Sequence, residues 1–435
     1  MGDVELVEAR PARPKLLPDL VVKNAVALYG VQIGRKVIPL ASIPYLARVL
    51  GPAGWGEVAF VTALAELIVI LIEFGFTLSA TRSIARFRDD PLERGKIATG
   101  VFCAQMILAA CGVGLALIAA PFIPLLRDHP ALLAAGLLYA VAQGFVPLWY
   151  FQGMERIRLV AVLEISAKVS ALGALFVFVK GPHDVWRAVA IQALSPSLCL
   201  LLGIVLAFRT STVCRPRRHL VNAALRESWD MFLFRSAESL YGVANAFLLG
   251  LFAPAAIVGY FSAAEKVSKA TAGLVNPIRE SLYPRISHLM RGDRAEGARL
   301  ARIGSGLMVA IGFLLSAALF TFADYVIGVL MGGRFEPAVG VLRILSPLPF
   351  LLATTFASGQ MWLFPLQKDR TVLRVVVRAA LINVSLSFLL GPKWGHLGMA
   401  SAVLISESVV AGSLLWNVLR LERAAILGGA LSPSL

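Results

Sequence analysis

The sequence predicts an all-α, polytopic membrane protein with about twelve transmembrane helices, arranged as two six-helix pseudo-symmetric bundles. Three observations lead to this fold class: the composition, the spacing of apolar windows and the distribution of basic residues. Of 435 residues, 58% are hydrophobic and only 15% are charged, and the mean hydropathy is +0.77. Soluble enzymes and disordered nucleic-acid-binding chains carry far more charge, so both classes are excluded as the main interpretation.

A transmembrane helix needs about 20 largely apolar residues, and windows of that length follow one another along the chain. They predict spans at 21–49, 56–80, 97–119, 131–151, 159–179, 185–208, 229–253, 257–279, 303–324, 340–363, 372–391 and 396–419. Pro39 and Pro44 predict a bend in the long first span. Residues 1–20 lack a signal-peptide cleavage site, so they are predicted to remain as an uncleaved arm.

Basic residues support this division, because a wrong number of spans would scramble their alternation between the two sides. About 27 Lys and Arg residues fall on the side of the N-terminus and about five on the other. The net charge of +15 is therefore explained mainly by topology, with both termini cytoplasmic. The predicted organisation is a cytoplasmic arm at 1–20, a first bundle at 21–208, a cytoplasmic linker at 209–228, a second bundle at 229–420 and a cytoplasmic tail at 421–435.

The two predicted bundles carry an internal repeat. PAGWGEVAF, at 52–60, is similar to PAAIVGYF, at 254–261, so that Gly56 matches Gly259. At the same offset Arg82 matches Arg285. At a second offset, Trp149 matches Trp362 and His183 matches His396. Internal repeats of this kind are typical of transporters, whose two bundles rock against each other around a central site.

Several segments resemble bacterial polysaccharide flippases of the Wzx type, within the multidrug/oligosaccharidyl-lipid/polysaccharide exporter superfamily. They are YLARVLGPAGWGEVAF (45–60), EFGFTLSATRSIAR (73–86), LWYFQGMERIR (148–158), VGYFSAAEKVSKA (258–270), YPRIS (283–287) and GHLGMASAVLISE (395–407). The resemblance implies an inner-membrane flippase of O-antigen or exopolysaccharide biosynthesis. Its substrate would be an undecaprenyl-pyrophosphate-linked glycan, with membrane lipid and a polysaccharide polymerase as further partners.

Charges inside the spans are the candidate site residues, because an ionised side chain costs roughly 2.5 to 3.5 kcal/mol at mid-bilayer depth. The basic ones are Arg35, Lys36, Arg48, Lys168, Arg235, Lys266, Lys269, Arg343 and Arg378. Surplus cations suit a pyrophosphate headgroup. We predict that the substrate is bound by Arg35, Lys36, Arg235, Arg378 and Lys168.

A structural role is the alternative for several of these charges. Helical spacing allows the ion pairs Glu164–Lys168, Arg235–Glu238 and Glu265–Lys269. Snorkelling toward the membrane surface is the preferred interpretation for Arg48, Lys269, Arg343 and Glu407, which lie near predicted span ends. Arg35 and Lys36 lie halfway along the first span with no acid on the same helix, so at least one should face a hydrated cavity.

Glu66 and Glu73 lie seven residues apart on one face of the second span, and we predict that they bind a coupling ion, H+ or Na+. The alternative is that they neutralise Arg35 and Lys36. No other cofactor is expected. Trp149, Tyr150, Trp362 and Trp394 lie at span ends and are predicted to form an interfacial belt.

Other chemistries find little support in the sequence. The five histidines lack metal-ligand spacing, no phosphate-binding loop is present, and basic loops such as RPRRH (215–219) indicate topology and lipid contacts rather than RNA binding. No catalytic or metal-binding residue is predicted, so the chain is not expected to be an enzyme. A cation-coupled multidrug exporter, a lipid II flippase and a membrane glycosyltransferase remain the alternatives. The first would need acids in the first span, and the second carries two further helices in typical members.

Overall fold

The computed structural model describes the backbone of residues 18–210, 212 and 214–428. Side chains are described over the same ranges except at 18–40, 157–161, 234, 237, 238, 240, 241 and 424–428. Within the described backbone, every regular element is helical. Most of the predicted arm and the end of the predicted tail lie outside the described residues.

The described residues of the first half of the chain form eight α-helices. They are α1 (Pro18–Glu73), α2 (Phe76–Arg86), α3 (Pro91–Ala119), α4 (Pro124–Arg127), α5 (Pro130–Gly144), α6 (Leu148–Gly153), α7 (Ile157–Phe178) and α8 (Val185–Thr210). The second half, from Arg218 onward, forms nine. They are α9 (Arg218–Gly242), α10 (Asn245–Gly250), α11 (Ala255–Ala272), α12 (Asn276–Gly292), α13 (Arg294–Thr321), α14 (Ala323–Leu330), α15 (Ala338–Leu345), α16 (Leu348–Phe356) and α17 (Asp369–Gly428).

Each predicted span falls on these helices, and two glycines separate spans that share one long helix. Gly51 (φ 70°) interrupts α1 between the first and second spans, and Gly395 (φ 55°) interrupts α17 between the eleventh and twelfth. Both backbones are left-handed, a conformation that glycine adopts without steric cost. The chain therefore reverses at these points without a loop.

Seven helical stretches of the described chain are long and apolar enough to cross a membrane. They are Ala41–Arg86, Pro91–Phe122, Pro130–Gly153, Pro182–Thr210, Arg294–Thr321, Ala338–Leu363 and Asp369–Arg423. The fifth, seventh and eighth predicted spans, on α7, α9 and α11, are not among them. On α7 the side chains of 157–161 lie outside the described residues, whereas α9 and α11 carry several charges. Because charge within a span is expensive, these two helices indicate where a hydrated site lies.

The internal repeat also includes two helix N-caps that were not among the matching residues identified in the sequence. Asp90 accepts hydrogen bonds from the backbone N–H groups of the first turn of α3, at 2.9 and 3.1 Å. Asp293 does the same for α13, at 3.1 Å. The two aspartates are separated by the same offset as Gly56 and Gly259, so the helices that carry the third predicted span of each half, α3 and α13, begin with the same N-cap.

One hydrophobic core joins the two halves, and further cores lie within each. The shared core contains Trp55 and Phe60 of α1, Phe261 of α11 and Phe335 before α15. Trp149 and Tyr150 are 1% exposed and Trp362 is 8% exposed, so their assignment to an interfacial belt was wrong. Their rings fill the internal cores instead, because α6 and the π-helix at Ala357–Leu363 pack inward. Trp394 is exposed, as an interfacial residue should be.

Candidate functional site

The charged faces of α1, α9 and α11 meet between the two halves of the chain. Glu66 and Glu73 project from α1, and among the described side chains each has one close polar partner. The Tyr139 hydroxyl of α5 donates a hydrogen bond to Glu66 Oε1 at 2.8 Å. Glu66 is therefore held within the first half, where the side chain of α5 fixes its orientation.

Glu73 instead reaches across to the second half of the chain. Its Oε2 lies 3.5 Å from Arg235 Nη2 of α9. The Arg235 side chain is 47% exposed and that of Glu73 is 25% exposed. A long, partly exposed ion pair of this kind contributes little stability, so the guanidinium can exchange partners at low cost. The alternative partner proposed from helical spacing, Glu238, has a side chain outside the described residues.

Lys266 of α11 lies at the same junction, although it was not among the ligands predicted from the sequence. Its ammonium is 4.9 Å from the centre of the Trp55 ring, which belongs to the first half. Glu265 and Glu66 are its favourable electrostatic neighbours. The arrangement is a cation–π contact across the two halves. The sequence feature that could have indicated this contact is Trp55, which lies inside the repeated PAGWG segment.

Lys168 lies on α7, where its Nζ is 2.7 Å from Glu164 Oε1. The spacing argument for this ion pair is confirmed. Both residues line a cavity of about 390 Å³ inside the first half, together with Glu73, Tyr139, Gln143, Gln192 and Ser195. Lys168 and Glu73 thus share one polar cavity, which connects the α7 pair to the residue that contacts Arg235.

Arg378 lies apart from these residues. It is exposed on the first part of α17, in a groove whose lining, from Val375 to Asn417, comes from α17 alone. The structure therefore does not bring Arg378 together with Arg235. Arg35 and Lys36, the first two predicted ligands, have side chains outside the described residues.

Three further basic residues within the predicted spans have structural partners. Arg48 Nη2 donates to the carbonyl of Val329 near the C-terminal end of α14, which joins the first half to the second. Arg343 pairs with Asp324 at 2.5 Å and Lys269 with Glu265 at 2.8 Å. Across the described residues, no group of three or more His, Cys, Asp or Glu side chains could hold a metal ion.

A family comparison decides what kind of protein this arrangement belongs to. The pattern of a family described as "Polysaccharide biosynthesis protein" matches residues 21–290, well over half of the chain. The chain belongs to this polysaccharide biosynthesis family. The resemblance to Wzx-type flippases drawn from the sequence segments is thereby confirmed.

Two curated relatives of this family member are described as putative O-antigen transporters. The protein of Escherichia coli (strain K12) is 27% identical over 398 residues, covering 91% of this chain and 96% of the relative. The protein of Shigella dysenteriae is 25% identical over 392 residues, covering 89% and 97%. The likeness therefore extends through both halves of the molecule.

Solved structures confirm the fold of this polysaccharide biosynthesis family member. The lipid II flippase MurJ, in an inward closed conformation, has a TM-score of 0.72 at 12% identity, covering 92% of this chain and 87% of that one. An inward-facing multidrug resistance transporter of the MATE family has a TM-score of 0.63 at 16% identity, covering 89% and 98%. At these identities the likeness concerns the fold alone. The predicted all-α polytopic architecture is confirmed.

Proposed function

We propose that the chain is a flippase that moves a polyprenyl-pyrophosphate-linked oligosaccharide from the inner to the outer leaflet of the bacterial inner membrane, by alternating access. One observation carries this proposal: Arg235 of the second half reaches Glu73 of the first half through a long, partly exposed contact. An anionic headgroup offers Arg235 a stronger, bidentate partner than this carboxylate does. The names of the curated relatives support the same function.

The chemistry of the substrate fits the charges at the junction. Arg235 and Lys266 supply cations on the second half, and Arg35 and Lys36 are proposed to supply cations on the first. Fixed cations offset the loss of hydration that an anion meets inside a protein. The isoprenoid tail would stay in the bilayer. With the interior negative, the membrane potential would favour outward movement by about 2.3 kcal/mol per charge per 100 mV.

The polar cavity beside Glu73 adds room for the sugar portion of such a substrate. At about 390 Å³ it lies within the usual range of ligand pockets, roughly 300 to 1,000 Å³. Its lining offers amides at Gln143 and Gln192 and the Lys168 ammonium. In this proposal Lys168 binds glycan rather than pyrophosphate, while Arg378 stays a predicted contact in a separate groove on α17. A polysaccharide polymerase is the proposed downstream partner.

Coupling is proposed to use the acids on α1. When the headgroup draws Arg235 away, Glu73 loses its partner and can take up a proton or sodium ion. Loss of the headgroup reverses the exchange. A ligand that binds the two states differently is what alternating access requires. Gly56 of α1 and Gly259 of α11 pack so closely that a Cβ atom on either would clash with the backbone of the other helix. This closed junction would face the periplasm, and both termini the cytoplasm.

Replacing Arg35 and Lys36 together with alanine tests the proposed cation cluster. We expect loss of surface glycan while the protein remains in the membrane, because the headgroup loses its anchors. Normal polymer in the double variant would contradict their assignment. Transport by the purified protein in liposomes, with a labelled polyprenyl-pyrophosphate disaccharide, tests the flippase activity itself, and liposomes without protein are the control.

The rival functions predict different phenotypes for a strain that lacks the gene. A multidrug exporter predicts increased drug susceptibility with normal surface glycan. A lipid II flippase predicts loss of viability, and expression of this chain should then rescue cells depleted of their own lipid II flippase. A glycosyltransferase predicts sugar transfer by the purified protein. We expect glycan loss alone.

A further inference from the structure

Arg378 is an exposed cation on the part of α17 before Gly395, apart from the charges that meet between the two halves. It lies six residues past the start of the eleventh predicted span, about 9 Å into that span at the rise of an α-helix. Among the described residues, no carboxylate forms an ion pair with Arg378. Glu422, at the far end of α17, pairs with Arg302 instead, at 3.0 Å. An ionised side chain at membrane depth is costly, so Arg378 calls for a counter-charge.

The groove around Arg378 runs between the two parts of α17 and has a volume of about 490 Å³. Its lining includes Arg378 and Ile382 from the first part and Val409, Gly412, Trp416 and Asn417 from the second. A Cβ atom built on Gly412 would meet no other atom within 4 Å, so this glycine leaves space in the wall of the groove. The volume lies within the usual range of ligand sites, roughly 300 to 1,000 Å³.

The polarity of the groove changes with depth in the predicted membrane. Trp416 and Asn417 belong to the last turn of the twelfth predicted span, where an exposed tryptophan favours the level of the lipid headgroups. Ile382 and Val409 each lie ten residues from the same end of their spans, about 15 Å into the bilayer. Arg378 lies between these levels, and its long side chain can extend toward the surface. The groove is therefore polar near the surface and apolar near the bilayer centre.

The groove opens on the outside of the second half rather than toward its interior. Trp416 lies nine residues after Glu407, which at about 100° per residue places the two on opposite sides of the helix. Glu407 is only 6% exposed, so it belongs to the interior and its snorkelling interpretation was wrong. Leu381 and Ile405, on the same helix, are exposed apolar side chains. Exposed apolar surface at membrane depth indicates contact with lipid.

We propose that this groove binds an anionic phospholipid, with the phosphate on Arg378 and an acyl chain along Ile382 and Val409. The planar guanidinium can donate two parallel hydrogen bonds to a phosphate group. The Trp416 indole N–H is a further donor at headgroup level. Arg374 is exposed one turn before Arg378 and adds positive charge at the mouth of the groove. With both termini in the cytoplasm, as proposed above, the lipid belongs to the cytoplasmic leaflet, where basic pockets between helices bind anionic headgroups.

This ligand is a resident of the membrane and differs from the transported substrate, to which Arg378 was assigned from the sequence. A transported headgroup has to reach Arg235 between the two halves, whereas the groove around Arg378 is lined by α17 alone. The inference therefore gives Arg378 a role of its own. It goes beyond flippase activity, because a phospholipid binds whether or not a glycan is transported.

Native mass spectrometry of the purified, delipidated full-length protein tests the site. The protein is mixed in detergent with equal amounts of phosphatidylglycerol and phosphatidylcholine that carry identical acyl chains. We expect wild-type protein to retain one phosphatidylglycerol in preference to phosphatidylcholine. Arg378→Gln should lower this preference about fivefold, because it removes one cation near the membrane surface. Gly412→Leu should weaken binding without a change in charge, because the added side chain occupies the groove.

Two substitutions on α13 are the matched controls. Arg299→Gln removes a cation whose side chain is 74% exposed and lies outside the groove. Gly306→Leu adds the same bulk at another exposed glycine that has no atom within 4 Å of a Cβ. Both should retain the preference of wild type. Thermal unfolding gives a second measurement: phosphatidylglycerol should raise the Tm of wild type and of both controls more than that of Arg378→Gln.

A preference that falls in Arg378→Gln and Gly412→Leu but persists in the controls supports the site. Equal preference in all of these proteins refutes it, and if Arg378→Gln fails to fold, Gly412→Leu decides alone. Excess inorganic phosphate should leave the lipid bound, because it lacks acyl chains; displacement would contradict a lipid site. Undecaprenyl pyrophosphate should bind the groove more weakly than phosphatidylglycerol, and tighter binding that depends on Arg378 would assign the groove to the substrate. Neither measurement involves transport, so failure of the flippase proposal would be seen separately in the liposome assay.

Discussion

Gly56 and Gly259, which occupy matching positions of the internal repeat, pack backbone against backbone where α1 crosses α11. A Cβ atom built on Gly56 would lie 1.7 Å from the carbonyl oxygen of Ala255 and 2.8 Å from the Gly259 nitrogen. One built on Gly259 would lie 2.0 Å from the carbonyl oxygen of Pro52. Small residues at helix crossings allow such an approach in membranes. The two halves can therefore pack this closely here because neither glycine has a side chain.

Adding a methyl group at this crossing should favour the state in which the halves are separated there. We expect Gly259→Ala to destabilise the closed junction by about 1 to 3 kcal/mol through overpacking. Disulfide formation between cysteines introduced on α1 and α11 near the crossing measures this closure. Gly306→Ala is the control, because no atom lies within 4 Å of a Cβ at Gly306. Equal crosslinking in both variants would show that the crossing tolerates a side chain.

Exchange of the charges at Glu73 and Arg235 separates a structural ion pair from a ligand site. Arg235→Ala should reduce transport roughly 10- to 100-fold, because a hydrogen bond to a charged group contributes about 1.5 to 3 kcal/mol. The double variant Glu73→Arg with Arg235→Glu keeps the pair but moves the cation to the other half. We expect it to stay inactive in the liposome assay. Recovery of transport would assign the pair a structural role only.

Lys266 should contribute to substrate affinity through its charge rather than its aliphatic stem. Lys266→Met keeps the stem and removes the ammonium that lies 4.9 Å from the Trp55 ring centre. We expect labelled substrate to bind about tenfold more weakly, with an unchanged amount of protein in the membrane. Trp55→Phe preserves an aromatic face and should change affinity less. The idea would be abandoned if Lys266→Met bound substrate as tightly as wild type.

Arg48 should act as a latch between the halves, because its guanidinium lies at the C-terminal end of α14, where carbonyl groups point outward. A cation at this end of a helix contributes about 0.3 to 1 kcal/mol. Arg48→Gln should shift the population at the junction by a factor of about two to five toward separation. Crosslinking across the crossing measures the shift. Arg187→Gln is the control, since Arg187 is exposed and pairs within its own half, with Asp184; the same shift in both would contradict a latch.

The sequence alone determined the architecture of this protein. Whether a segment enters the membrane depends on the free energy of transferring its side chains and backbone from water to lipid. That free energy depends on the segment's own residues, so apolar windows and basic loops can be identified from the sequence. The apolar spans and the repeat that pairs Gly56 with Gly259 belong to this local information, whereas the breaks at Gly51 and Gly395 were seen only in the structure. Helical spacing likewise gave the Glu164–Lys168 and Glu265–Lys269 pairs.

Only the tertiary structure decided which charges meet. Arg235 pairs with Glu73, which is 162 positions away on another helix. Glu407 was predicted to lie near the membrane surface and is buried, and Trp149 fills a core. Lys266 contacts the ring of Trp55, which belongs to the other half of the molecule. Contacts between helices depend on how each helix is rotated about its axis, and that rotation is set by the packing of all its neighbours at once.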